Sequence, residues 1–186
     1  MIPKPMLASP MAKGVITNWN DWAVEEKYDG HRLIVVVGAL GDVTAYARPH
    51  GDGRQIKRAL PARLADALRH LVVGVYDGEL VARDGESSSD VTRLDRRDDL
   101  RLILFDVLAV AGVNAMSNPY HERHAALLKI VGGVSPAKLA GVELAPSFPV
   151  ASQEDVLRFV RGIWECGGEG AILKRRASPY QSGKRS

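Results

Sequence analysis

The stretch Glu25-Glu26-Lys27-Tyr28-Asp29-Gly30-His31-Arg32 decides how the rest of the chain is read. Lys27 stands two residues before Asp29-Gly30 and five before Arg32. Residues 33–37 are an unbroken apolar run rich in β-branched side chains, which predicts a buried strand. Asp29-Gly30 is the turn leading into it. Lys27 is therefore expected at the mouth of a sheet rather than on a loose surface loop.

A lysine at such a place acts as a nucleophile only when neutral. Its free pKa of about 10.4 must then be lowered by desolvation or by nearby cations. Asp29 is suited to accept a hydrogen bond from the amine or to help hold a metal beside it, and Arg32 offers a fixed fork for a ribose or phosphate. For a lone lysine before Asp-Gly, a salt-bridged surface turn before a strand is the better reading, so the remaining residues must decide.

Composition bounds the problem. A chain of 186 residues, 46% of them apolar, is long enough for one domain with a real core. Lys and Arg number 25 against 22 Asp and Glu, a net charge of +3 that permits a polyanionic partner without demanding one. Arg175, Arg176, Lys184 and Arg185 form a basic tail, either a solvated surface or a place to hold nucleic acid. Cys166 is the only cysteine, which excludes an internal disulfide and suits a reducing interior. No run approaches the length of a membrane span and no signal-peptide core opens the chain, so a soluble, intracellular protein is expected.

Taken in order, residues 1–20 read as an extended arm whose Met6-Leu7-Ala8 packs on the core. Residues 38–42 form a hairpin turn before a partner strand at 43–47, and Arg48 ends that strand beside the Gly-rich residues 49–53. Ile56, Leu60, Leu64, Leu68 and Leu71 recur at helical spacing and predict an amphipathic helix over 57–71. Residues 72–82 read as a strand that repeats Tyr-Asp-Gly and sets Glu79 among apolar neighbours. A carboxylate there requires a partner, either a core arginine or hydroxyls across a cavity. Residues 84–99 read as a loop, 100–110 as the most strand-like run, and Asn118-Pro119 as an N-cap followed by proline in the first turn of a helix to about Val131. A strand over 142–149, a helix over 153–166 capped by Ser152 with Asp155 at the capping-box position, and a strand over 169–174 complete the chain. About seven strands and three helices in mixed order predict a single α+β domain with largely antiparallel sheets.

Several of these segments together resemble the covalent nucleotidyltransferases, in particular the ATP-dependent DNA ligases. Residues 27–32 match K-x-D-G-x-R, and Arg48 before a Gly-rich turn matches the next motif. Residues 77–82 look like the D-G-E segment, 104–108 are similar to F-D-h-L, and 169–174 match E-G-h-h-h-K. Pro5-Met6-Leu7-Ala8 is a common ligase opening. The ordered set covers nearly the whole chain. It implies an adenylation domain over 1–186, ATP-grasp-like, with mixed, largely antiparallel sheets flanked by helices.

The resemblance also implies roles. Lys27 attacks the α-phosphate of ATP and carries AMP as a covalent intermediate. Asp29 orients Lys27 and lies near the metal, Glu25 lies beside the adenine, and Arg32 and Glu79 meet the ribose. Phe105 stacks on the adenine, although on its strand alone it reads as core. Arg48 serves phosphate or nicked-DNA contact, Glu169 holds Mg²⁺ (or Mn²⁺ in its place), and Lys174 lies close to the α-phosphate, although by pattern alone it reads as surface. The implied partner is nicked double-stranded DNA, with no membrane, in a bacterial or phage-infected cytoplasm. Members of the family continue into a further lysine-bearing strand and a C-terminal OB-fold domain. Residues 178–186 look like the approach to that strand, so the expectation is an adenylation domain without its OB fold, impaired unless another chain or domain supplies it. RNA ligases and capping enzymes share K-x-D-G, and a non-catalytic DNA- or partner-binding module on the same fold is the reading from another class. Cys166 is expected in the core, and the five histidines show no zinc-ligand spacing.

Overall fold

The computed structural model describes residues 2–10, 16–49, 54–82, 91 and 99–185. After one 3-10 turn at Trp19–Asp21 come β1 (Trp22–Lys27), β2 (His31–Val37), β3 (Val43–Ala47) and β4 (Lys57–Arg58). Helix α1 (Ala62–Leu68) leads to β5 (Gly74–Val81), β6 (Arg101–Val110) and β7 (Val113–Asn114). Helices α2 (Tyr120–Gly132) and α3 (Pro136–Leu139), strands β8 (Val142–Leu144) and β9 (Phe148–Pro149), helix α4 (Gln153–Glu165) and strand β10 (Gly170–Arg175) follow. The α+β expectation holds.

The larger sheet runs in the order β4-β3-β2-β5-β6-β7, antiparallel throughout, with β8 joining β6 in parallel. Period-two alternation sorts its side chains. Leu33, Val35, Val37, Tyr76, Leu80, Leu102 and Leu104 pack in one core with Leu64 and Leu68 of α1 and Leu127 and Val131 of α2. The intervening residues Arg32, Ile34, Asp77, Glu79, Ile103 and Phe105 therefore belong to the opposite face. There Ile34, Leu108 and Tyr180 are buried with Met6 of the N-terminal arm packed against them. Met6 of the arm thus packs as its sequence predicts, Leu7 bridges to Arg185, and Ala8 is exposed.

The smaller sheet is β10-β1-β9, antiparallel on both sides of β1. Helix α4 packs against β10 and β1. Ser152 caps it, its Oγ accepting from the Asp155 N–H at 3.2 Å. The Asp155 carboxylate accepts in return from the N–H of Ala151 at 3.0 Å.

Four sequence expectations are corrected. Residues 57–58 are strand, and the helix begins only at Ala62, because Pro61 disfavours a helical conformation at Leu60 and itself takes ψ 138. Asn118 does not cap α2. Pro119 holds the cap position with ψ 144, and the N–H groups of Tyr120 and His121 donate instead to the carbonyls of Ser178 and Arg176. Residues 142–149 are two strands in different sheets, separated at Pro146, so this segment carries the chain from one sheet to the other. Cys166 is exposed just past the end of α4, a helix with no fully buried residue. Residues 50–53 of the Gly-rich turn and nearly all of the 84–99 loop lie outside the described residues.

Candidate active site

The site is built where the two sheets meet. On β1, Glu25 and Lys27 are two residues apart and so share a face. Across the antiparallel pair Lys27 faces Gly170 and Ala23 faces Lys174. That register sets Lys174 diagonal to Glu25 and brings Glu169, just ahead of β10, to the end of Lys27. Lys27 Nζ makes an ion pair with Glu169 Oε1, with the two side chains 45% and 43% exposed. Asp29 is exposed in the turn that follows. Gly30 completes the turn because a Cβ there would lie 2.3 Å from the Leu80 carbonyl oxygen, a backbone atom with no room to give.

Glu25 is 2% exposed and needs partners at that depth. It has two. Lys174 Nζ lies 2.5 Å from its Oε2, and the Tyr120 hydroxyl donates to its Oε1. Burial, with Glu25 adding to it, holds the Tyr120 hydroxyl above its ordinary pKa, so it remains a donor. Tyr120 is the first residue of α2 and was not singled out by sequence. Its only signal is an aromatic with a polar tip after a proline.

The larger sheet supplies the other wall. Phe105 falls where β5 and β6 slip register, between the pairs Gly78–Leu104 and Asp77–Asp106. Such an extra residue re-aims a side chain without moving the strand. The Arg32 guanidinium carbon sits 4.2 Å from the Phe105 ring centroid, and Lys174 Nζ sits 4.8 Å from it. Phe105 thus joins β2 and β10 across the junction of the sheets. It is 8% exposed, in keeping with its pattern-based reading as core, and it lies where the two sheets meet.

Arg32 and Glu79 face each other in register, yet the arginine's partner is the diagonal neighbour. Arg32 Nε donates to Asp77 Oδ1 at 2.6 Å and Nη2 to Oδ2 at 2.8 Å, a bidentate fork on a carboxylate that is 0% exposed. Glu79 is half-buried beside this pair. Withdrawal from water pushes its carboxyl up to about 7, with Arg32 opposing and Asp77 reinforcing the rise. Arg48 is exposed and lines a separate hollow of about 220 Å³, shared with Lys4, Pro5, Leu7, Pro49 and Gly183.

Asp106 is structural. It is buried against Arg123 of α2, whose Nε and Nη2 reach its two oxygens at 2.8 and 2.9 Å. Among the described residues no group of three or more His, Cys, Asp or Glu is arranged around a cation position. The donor set still suits one kind of cation. Glu169, paired with Lys27, and Asp29, two residues beyond Lys27 in the chain, are exposed hard-oxygen donors, and Mg²⁺ commonly binds through one or two carboxylates plus substrate phosphates.

Residues 5–186 match the ATP dependent DNA ligase domain, nearly the whole of the chain. The chain belongs to the ATP-dependent DNA ligase domain family. Among relatives, a DNA ligase of Haloferax volcanii is 30% identical over 94% of this chain and 31% of its own length. A probable DNA ligase of Anaeromyxobacter is 30% identical over 98% of this chain and 36% of its own. The solved ligase domain of LigD from M. tuberculosis superimposes with a TM-score of 0.75 at 28% identity, over 99% of this chain and 57% of that one. A mycobacterial DNA ligase D complexed with ATP and MES gives 0.77 at 27% identity, again over 99% and 57%. This ligase-family chain therefore spans about a third of the length of the curated ligases it matches. Among the described residues no helix is long and apolar enough to cross a membrane.

Proposed function

We propose that this chain is the adenylation domain of an ATP-dependent DNA ligase and that Lys27 is its nucleophile. The observation that supports this most directly is the convergence at the sheet junction. Lys27 and Glu25 come from β1, Lys174 from β10, Glu169 from just ahead of β10, and Arg32 and Phe105 from β2 and β6, around one place. The Phe105 ring is the platform for the adenine, with Glu25 beside it, and Arg32 and Glu79 take the ribose. In this reading Lys174 exchanges its contact with Glu25 for the α-phosphate when nucleotide enters.

The chemistry begins with Lys27. Its ion pair with Glu169 is exposed, so it is worth little and is readily given up. The ammonium loses a proton to solvent, and Nζ then forms a bond to the α-phosphorus. The bond from that phosphorus to the α–β bridging oxygen breaks, and its electron pair leaves on pyrophosphate. Asp29 and Glu169 would hold a divalent cation, which neutralises phosphate oxygens when bound. In the next step a phosphate oxygen at the 5′ end of a DNA nick displaces Lys27 from phosphorus. The 3′-hydroxyl finally attacks that 5′-phosphorus and releases AMP. Arg48 and the basic residues near 175–185 serve the DNA, and an OB-fold unit elsewhere in the same or another chain completes its grip.

Intact-protein mass after incubation with ATP and Mg²⁺ tests the first step. The expected result is a gain of one adenylyl group, absent from Lys27→Ala. A gain that persists in Lys27→Ala would remove Lys27 from its role, and no gain even when the chain is extended by an OB-fold unit would remove the enzyme reading.

A further inference from the structure

The contacts around Asp77 form a closed circuit that joins Arg32 to residues outside the proposed nucleotide site. Arg32 takes both oxygens of Asp77, and the Tyr180 hydroxyl donates to Asp77 Oδ2 at 2.6 Å. That same hydroxyl accepts from the backbone N–H of Met6 at 2.9 Å. The Met6 carbonyl in turn accepts from Arg32 Nη2 at 3.3 Å. Asp77, Tyr180, Met6 and Arg32 are therefore linked in a ring, with Asp77 fully buried and Tyr180 6% exposed. Tyr180 is not on a strand of either sheet. It is held by segment pairing, in which Lys4 and Leu7 exchange backbone contacts with Gly183 and Lys184.

We propose that Tyr180 is a positioning residue for nucleotide binding, acting through Asp77 to hold the Arg32 guanidinium in one orientation over Phe105. An arginine loses affinity for its ligand by whatever it costs to order its side chain, and here three neighbours order it in advance. Asp77 alone would fix the fork, but an aspartate has its own rotamers, and the Tyr180 hydroxyl removes that freedom by a charge-assisted bond to the oxygen that also takes Arg32 Nη2. Burial and the adjoining Asp77 hold the tyrosine above its ordinary pKa, so it stays a donor. The inference rests on the reading of Arg32 and Phe105 as part of the ATP site.

The test is the Kd for ATP, measured by calorimetry on Lys27→Ala protein so that the nucleotide is not consumed. Adding Tyr180→Phe keeps the ring in its apolar pocket and removes only the hydroxyl. The expected result is a Kd higher by about tenfold, the scale of one hydrogen bond to a charged group. Adding Ile34→Val, a packing change in the same cluster, should leave Kd within about twofold at a similar loss of melting temperature. In the chain that retains Lys27, the ATP concentration for half-maximal self-adenylylation should rise with Kd while the saturating rate stays within about twofold. An unchanged Kd in Tyr180→Phe, or an equal rise in Ile34→Val, would overturn the proposal. Should Tyr180→Phe not fold, Tyr180→Met takes its place with the same expectations, since it also removes the hydroxyl and leaves the Arg32–Asp77 fork in being. A folded Lys27→Ala protein that binds no ATP at all would sink the nucleotide-site reading itself, a result distinct from ATP binding that ignores Tyr180.

Discussion

The Arg32 guanidinium lies 4.2 Å from the centre of the Phe105 ring, although β5 separates their strands in the sheet. A side chain on β2 reaches across β5 because Asp77 draws it over and because the register slip at Phe105 lifts that ring toward it. The platform proposed for the base is thus a product of three strands, and a change in any one of them should be felt in ATP affinity.

Phe105→Leu isolates the ring's contribution. Leucine keeps most of the buried volume, so the loss of stability should be about 1 kcal/mol, well below the 3–5 expected for alanine. The cation contacts with Arg32 and Lys174 vanish, and with them the platform proposed for the base. ATP affinity should fall by at least about tenfold, since such contacts are worth about 0.5–2 kcal/mol each. Calorimetric titration beside a urea melt separates the two effects. A stable protein with undiminished affinity would show that the ring is only core.

Asp106→Ala should be far more damaging to the fold than to any chemistry. It leaves the Arg123 side chain, 1% exposed, as an unpaired buried charge. Breaking one side of such a pair costs about 3–5 kcal/mol. Arg123 also donates to the Ser178 carbonyl at 3.1 Å, so the cost extends to the segment that carries Tyr180. The urea midpoint should drop sharply, and replacing both partners by Asp106→Leu and Arg123→Met should recover part of it. A double replacement as unstable as the single one would contradict this account.

How much of this the chain announces depends on the kind of signal. The strands at 33–37 and 101–110 show because burial on both faces demands largely apolar runs, and Lys27 and Glu169 show because each stands at a strand end near glycine, Lys27 two residues before Asp29-Gly30 and Glu169 between Gly168 and Gly170. The choice of Asp77 over Glu79 as the partner of Arg32 does not show. Both carboxylates sit on one face of one strand, two residues apart, and only the register and the side-chain length separate them. The slip at Phe105 leaves no mark in the local pattern either. Tyr180 is less legible still, since its partners lie 103 and 174 residues away. Residues 142–149 mislead for a local reason, because apolar residues on both sides of Pro146 look like one strand until the proline is read as a break between sheets.

The two helix starts provide a contrast in stability. Ser152→Ala removes a real cap, the Oγ that accepts from the Asp155 N–H, and should cost about 1 kcal/mol. Asn118→Ala should cost less than about 0.5 kcal/mol, the range of an ordinary surface change, because its side chain caps nothing and the N–H groups of α2 are satisfied by Ser178 and Arg176. Paired denaturation curves check this directly. Equal losses would mean that Asn118 caps α2 after all.

Glu79 sets a pH dependence whose sign can be worked out. Its folded pKa, near 7, lies above the ordinary glutamate value of about 4.3 because the carboxyl is withdrawn from water and sits near Asp77. Between these two values the folded chain binds more protons at this group than the unfolded chain does. Stability from Glu79 is therefore fully present below the unfolded pKa and is lost as pH rises through the folded one. Glutamine has nearly the shape of the protonated acid and cannot ionise. Glu79→Gln should thus match the parent near pH 4, gain on it steadily up to about pH 7, and hold a constant advantage above that. Urea midpoints at pH 4, 5.5, 7 and 8 give the comparison, with m checked for constancy so that the midpoints report stability alone. A difference that is flat across this range would place the Glu79 carboxyl at its ordinary value, and one that shrinks with rising pH would reverse the sign and imply a cation that holds it ionised. ATP affinity should move the other way in the same variant if the ionised carboxylate accepts from a ribose hydroxyl. The single substitution would then stabilise the empty chain at pH 8 while weakening its hold on nucleotide, as expected for a group kept at the site despite its cost to the fold.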